Sequence, residues 1–286
     1  MDRRIIELYD EYAHAPLPRR VFLDRLAALA GGSAAAALLL PLLEADRAAA
    51  AVVAPDDARV VAARITYPGK SAEVAGYLAR PATIGHSGGV IVIHENRGLN
   101  AHIEDIARRL ALAGYLALAP DLLSALGGTP SDEDKARELI GKLDPDIATG
   151  DAMAGVDWLH RHENGNGKAG AVGFCWGGGV VGQVAVNDQT LDAAVVYYGR
   201  PPAAEDVAKI TAPLLLNYAG LDQRLDALLP AYRAALDKAG VTYTLYVYDG
   251  ADHAFNNDTS PERYNAAAAK LAWDRTLAFL AQNLTS

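Results

Sequence analysis

The sequence predicts an α/β domain: a mostly parallel central sheet with helices on both faces, preceded by a helical N-terminal extension. Three observations predict it. Short continuous apolar runs at 90–94, 115–119, 169–174, 192–198 and 213–219 alternate with longer segments of helical period, and strands apolar on both faces belong to a parallel sheet covered on both sides. The succession is strand, helix, strand through most of the chain, which is how such a sheet is generated. With 51% hydrophobic residues among 286, one large core can be filled by a single domain, here 56–286 behind an extension at 1–55.

The extension comes first. Residues 1–14 carry Ile5, Ile6, Leu8, Tyr9 and Tyr12 between charged positions, the pattern of a short amphipathic helix. Pro18-Arg19-Arg20-Val21-Phe22-Leu23-Asp24 then leads into an alanine- and leucine-rich run at 26–43, alanines at 48–51 and a linker at Pro55-Asp56-Asp57. Paired arginines ahead of a weak apolar run and small residues resemble a twin-arginine export signal, which would send the protein to the periplasm. The alternative is an ordered arm on a cytoplasmic protein, packed on the domain or on a second chain to give a homo-oligomer. Glu44, Asp46 and Arg47 interrupt the signal pattern, and the arginine pair lies deep behind a helix. Gly31, Gly32, Ser33 and Pro41 break the apolar run, so no integral membrane span is expected.

In the domain, 60–67 and 74–79 read as strands joined at Pro68-Gly69, an antiparallel entry hairpin. Strand 90–94, helix 103–113 and strand 115–119 follow, the last ending at Pro120-Asp121. Helices at 132–143 and 147–163 precede the strand at 169–174. Then come strands 192–198 and 213–219, a helix at 225–239, a strand at 243–248 and a closing helix at 261–283. The formal net charge of -9 offers no basic face for phosphates, so nucleic acid is excluded as a partner and a small molecule is the expected one. One cysteine rules out an internal disulfide and a cysteine-based metal cluster.

That cysteine is the centre of the chemistry. In Ala171-Val172-Gly173-Phe174-Cys175-Trp176-Gly177-Gly178-Gly179, Cys175 has a glycine two residues to either side, after an apolar run and before a helix-compatible segment. A strand, sharp turn and helix of this kind hold the tip residue in a strained conformation that pushes its side chain out of the sheet. The helix N-terminus favours a thiolate and later an oxyanion. The bland alternative is a buried small hydrophobe.

Partners are sought at the carboxyl ends of the other strands. Asp222 follows 213–219, and His253 follows 243–248. The order Cys175, Asp222, His253 is the nucleophile, acid, histidine order of α/β-hydrolases. His253 would exchange protons with the thiol and with water, and Asp222 would orient its ring. Taken singly, Asp222 could merely cap a helix and His253 a turn. Glu95 follows 90–94; a carboxylate beside a thiol is useful only if it takes the proton away or is neutralised, with Arg97 the candidate neutraliser. A structural pair with a loop arginine is the alternative for Glu95. The oxyanion hole is expected from the backbone N–H groups of Trp176 and Asn96. No metal site and no cofactor are expected: no second histidine follows His94-Glu95 at helical spacing.

With these residues in place, the chain resembles the dienelactone hydrolase family, the carboxymethylenebutenolidases. The matching stretches are Gly173-Phe174-Cys175-Trp176-Gly177-Gly178, Glu95, Pro120-Asp121-Leu122, Tyr197-Tyr198-Gly199, Gly220-Leu221-Asp222 and Asp252-His253-Ala254-Phe255, over 60–284. The resemblance implies an α/β-hydrolase fold and a carboxylic ester or lactone hydrolase working through a thioester at Cys175, with Asp222 and His253 as partners. It further implies that Glu95 takes the thiol proton once substrate displaces it from a resting partner. Members that cleave dienelactone hold its carboxylate with arginines, one shortly after the catalytic histidine; here Asn256-Asn257 stands there. Arg97 is the candidate carboxylate contact from another side, with Lys135 or Arg137 either helping or forming a solvated helix face, and Tyr198 and Trp176 either wall the pocket or pack the core. A broad esterase, an acyltransferase on the same scaffold, and a non-catalytic thiol sensor are the alternatives.

Overall fold

The structure, a computed structural model, describes residues 2–14, 17–43, 52–83 and 85–285. The alanines at 48–51 and Glu44, Asp46 and Arg47, which bear on the export reading, lie outside the described residues, as does the side chain of Ile6.

Eight strands form one sheet: β1 (Val60–Pro68), β2 (Glu73–Pro81), β3 (Ser87–Ile93), β4 (Leu116–Pro120), β5 (Gly165–Phe174), β6 (Ala193–Tyr197), β7 (Leu214–Ala219) and β8 (Tyr243–Tyr248). Their order is β1-β2-β4-β3-β5-β6-β7-β8. β1 and β2 form the expected antiparallel hairpin and β2 meets β4 antiparallel; every other neighbouring pair is parallel. The helices of the domain are α4 (Ala101–Leu112), α5 (Glu133–Lys142), α6 (Pro145–His160), α7 (Trp176–Asn187), α8 (Gln223–Asp226), α9 (Leu229–Ala239) and α10 (Ala266–Leu284).

β3 shows how both faces are covered. Val90, Ile91, Val92 and Ile93 are all fully buried although alternate side chains point to opposite sides. A Cβ on Gly88 would stand 2.8 Å from Leu284 of α10, and one on Gly89 would stand 2.8 Å from Leu159 of α6. The two helices thus approach the same strand from opposite faces, so closely that only glycine fits.

The helix expected at 225–239 is split into α8 and α9, because Pro230 lies in the first turn of α9, where its missing N–H costs nothing. The closing helix starts at Ala266 rather than near 261. Asn265 caps it by accepting from the Ala268 N–H, and the preceding residues are spent in successive tight turns that bring Asn257 back to the sheet end. The elbow strand begins at Gly165, four residues before the expected position.

The extension is three helices, α1 (Arg3–His14), α2 (Arg19–Ala30) and α3 (Ser33–Leu43). Ile5, Leu8, Tyr9, Tyr12, Phe22, Leu26 and Ala36 make an apolar cluster of their own, with the Tyr12 and Phe22 rings stacked at 4.2 Å. The arginine pair Arg19-Arg20 opens α2. Among the described residues no single helix is long and apolar enough to cross a membrane; α2 with the start of α3 has the composition but is bent by 109°.

Candidate active site

Cys175 sits between β5 and α7 with φ 55° and ψ −117°. This is a strained conformation for a residue with a side chain, costing about 1–3 kcal/mol. Its surroundings over-determine it. The Cys175 N–H donates to the Tyr197 carbonyl at 3.0 Å, and its carbonyl accepts from the Gly179 N–H at 3.2 Å. A Cβ on Gly177 would run into the carbonyl oxygens of Ile93, at 2.5 Å, and His94. The expected elbow is therefore present, and the reason for its glycines is close backbone approach. Cys175 is buried, only 5% exposed, yet it faces a cavity.

The carboxyl ends of β7 and β8 bring Asp222 and His253 together. His253 Nδ1 lies 2.6 Å from Asp222 Oδ2, with both side chains buried. Asp222 Oδ1 also accepts from the Leu225 N–H, so the residue caps α8 while it holds the ring. Burial opposes ionisation of Asp222, but the hydrogen bond and charge of His253 outweigh it, helped by Arg224 at 3.6 Å, and hold its carboxyl below the usual range.

Glu95 Oε2 accepts from the amide of Asn257 at 2.7 Å, while Oε1 is buried with no hydrogen-bond partner among the described residues. The neighbour that Glu95 finds is therefore a neutral amide and not Arg97, the neutraliser expected from sequence. Tyr198, at φ 39°, has a buried hydroxyl that also lacks a hydrogen-bond partner, and its ring lies 5.0 Å from that of His253. Burial, and after it the charges of Glu95 and Cys175, push the Tyr198 phenol well above its ordinary value. His94 underlies the loop. Its Nε2 accepts from the Leu122 N–H at 3.2 Å, so Nδ1 carries the proton and donates to the Glu95 carbonyl at 2.7 Å, and its ring stacks on Trp176. Burial keeps this imidazole neutral by lowering its basicity.

A cavity of about 680 Å³ opens over this group, lined by Asn96, Cys175, Trp176, Tyr198 and His253. A second, of about 690 Å³, shares Cys175, Trp176 and Arg200 with it and continues between Leu143, Val180, Pro202 and Tyr232. Arg97 does not line either cavity. It is 4% exposed, and its guanidinium donates to the Tyr9 hydroxyl at 3.0 Å, the Glu133 carbonyl at 3.1 Å and Asp134 at 3.3 Å. Lys135 is exposed and pairs with Asp132, whereas Arg137 does reach the cavity. The cationic side chains that sequence reasoning missed are Arg200, just after Tyr197-Tyr198-Gly199, and Arg224, two residues after Asp222. Both were findable from their position at strand ends. Tyr12, Leu17, Pro18 and Arg19 of the extension also line the cavity, and no sequence signal pointed to them. Among the described residues, no group of three histidine, cysteine or acidic side chains is arranged to hold a metal ion.

Residues 74–284 match the model of the "Dienelactone hydrolase family", and residues 1–31 match a shorter one called "YqhI-like". A "Putative carboxymethylenebutenolidase" of Yersinia pestis is 35% identical over 236 residues, covering 76% of this chain and 87% of the relative. A like-named protein of Escherichia coli O157:H7 is 35% identical over 247 residues, 81% of this chain and 90% of its own. Among solved structures, that of a "Putative Dienelactone Hydrolase from Klebsiella pneumoniae subsp. pneumoniae MGH 78578" superposes with a TM-score of 0.72 at 33% identity. It covers 78% of this chain and 99% of the solved one.

Proposed function

Since this chain belongs to the dienelactone hydrolase family, an α/β-hydrolase fold family acting on esters or lactones, we propose that it works through Cys175, His253 and Asp222 by way of a thioester. The observation that carries this reading is the strained cysteine at the elbow together with a 2.6 Å His253–Asp222 pair at the same sheet end, Cys175 and His253 both lining one cavity. Substrate entering the cavity meets Cys175 with Glu95 behind it. The thiol proton passes to the unpartnered Oε1 of Glu95, and the thiolate attacks the carbonyl carbon. The oxyanion is received by the backbone N–H groups of Trp176, the first residue of α7, and Asn96. Collapse forms the thioester and breaks the bond to the leaving oxygen, which takes the proton held by Glu95. His253 then deprotonates a water that attacks the thioester, and its imidazolium returns a proton to the departing thiolate. The net change is ester plus water to acid plus alcohol.

A dienelactone-like lactone is the leading substrate, and a small neutral ester is the second reading. The second is favoured by Arg97, whose guanidinium is occupied away from the cavity, so a substrate carboxylate would fall to the arginines that line it, Arg200 beside Arg137 and Arg224. The experiment is turnover of dienelactone and of nitrophenyl acetate by wild-type protein, Cys175→Ala and Arg200→Ala. Dienelactone hydrolysis lost in both variants supports the lactonase. Nitrophenyl acetate hydrolysis lost only in Cys175→Ala makes the chain a broad esterase, and turnover surviving in Cys175→Ala overturns the nucleophile. Intact mass during turnover should show the acyl group on the chain's only cysteine.

A further inference from the structure

We propose that the N-terminal arm is a resident wall of the catalytic cavity, and that Tyr12, Leu17, Pro18 and Arg19 set the size of group that can reach Cys175 through it. The arm lies outside the matched family segment, which begins at residue 74, yet these four residues share one cavity with Cys175 and His253.

The arm is fastened by polar contacts that are too specific for incidental packing. Tyr9, 2% exposed, accepts from the buried guanidinium of Arg97, and Arg263 lies over its ring at 5.2 Å. The Tyr12 hydroxyl donates to Asp134 at 2.8 Å, and Arg19 pairs with the same carboxylate. Arg137 lies 3.6 Å over the Tyr12 ring while donating to the Tyr12 carbonyl. The Arg97–Tyr9 tie is buried, where a charged hydrogen bond is of the strong kind, and the Arg137–Tyr12 ring contact adds to it, while the Arg19–Asp134 pair is partly exposed and contributes less. Arg97 is two residues from Glu95 and next to Asn96, so the same contacts brace the loop after β3. The arginine pair that resembles an export signal is thus partly spent on the cavity rim. The second cavity, which also takes in Cys175 and Trp176, has none of the described arm residues in its lining. A group of the ester that lies in the first cavity therefore meets the arm, and one that lies in the second does not.

The test uses the full chain and the lone cysteine, so its first readout does not depend on the proposed hydrolysis. Wild-type protein, Leu17→Trp and Arg19→Ala are alkylated with iodoacetamide and with a pyrene-bearing maleimide, and the modification of Cys175 is followed by intact mass. The larger ring at the cavity rim should make the ratio of bulky to small reagent rates fall roughly tenfold in Leu17→Trp. In Arg19→Ala, which removes a side chain 42% exposed, the ratio should rise, with a thermal melt confirming that the variant is folded. The same ordering is expected for kcat/KM of a bulky aryl ester against nitrophenyl acetate. Ratios that stay at the wild-type value in both variants overturn the wall. Shifted alkylation ratios in a protein that hydrolyses no ester leave the wall standing and remove the catalytic reading instead.

Discussion

Replacing Tyr198 with Phe should make the protein more stable and less active. The hydroxyl is buried, 1% exposed for the residue as a whole, and makes no hydrogen bond to any described residue. An unsatisfied buried hydroxyl costs about 1–3 kcal/mol. Phenylalanine keeps the ring contacts with His253 at 5.0 Å, Phe255 at 5.4 Å and Tyr197 at 6.0 Å, so nothing is lost against that gain. The unfolding free energy should rise by about 1 kcal/mol, roughly 2–4 °C in melting temperature for a domain of this size. Activity should move the other way. Burial and the charges of Glu95 and Cys175 hold the phenol protonated, so it can only serve as a donor to a negative group arriving at or forming on Cys175. A hydrogen bond to a charged group contributes about 1.5–3 kcal/mol, which corresponds to roughly a ten- to hundredfold fall in kcat/KM. Urea unfolding and ester hydrolysis on the same preparations decide it. Unchanged kcat/KM would show that the hydroxyl takes no part in the reaction. A drop in stability would show that it is satisfied in the resting protein, and the argument from its orphan state would fail.

Asp222→Asn should keep the fold, because its side-chain oxygen can still cap the Leu225 N–H, but lower kcat by roughly 10²–10⁴-fold through loss of ring orientation and charge; thermal melts beside kinetics check both halves. Arg97→Met should cost about 2–3 kcal/mol in urea unfolding, since it strips charged partners from Tyr9 and Asp134. A purely kinetic defect confined to carboxylate-bearing substrates would instead return Arg97 to substrate reading. Stability should also fall in acid. Burial works against ionised Asp222 and Asp258, but His253 for the one, and His102 and Arg109 for the other, keep both carboxyls below their ordinary values. Their contribution is complete above the unfolded value of about 3.9 and vanishes as the pH drops through the lower folded value. Melting temperature should therefore decline from about pH 4 downward, less steeply in Asp258→Asn, and a flat profile from pH 5 to pH 2 would contradict the assignment.

Much of the candidate site is legible before any coordinate. Strand ends could be located because five short apolar runs have no other economical use, and the polar residues after them are then brought together by the parallel sheet itself. Cys175, Asp222 and His253 were found in this way, and the flanking glycines of the elbow marked the one place where backbone packs on backbone. The same logic placed Glu95 at the site but named the wrong neighbour for it. Arg97 is close in sequence, whereas Asn257 is 162 residues away and arrives through the tight turns that follow His253. The arm was read as an export signal or a docking helix, since paired arginines, alanines and leucines carry the same pattern in either context.

The sequence by itself determined the elements whose signal is local: apolar period, helix caps, the Gly-x-Cys-x-Gly turn and the order of the three candidate site residues along parallel strands. Only the tertiary structure decided what Arg97, Tyr12 and Arg19 do. Their partners are 88, 122 and 115 residues distant in the chain, and a long polar side chain can find a carboxylate, a hydroxyl or water with nearly equal ease. Its role is set by whichever surface the packing of the apolar cores brings within reach, and that choice leaves no mark on the neighbouring residues.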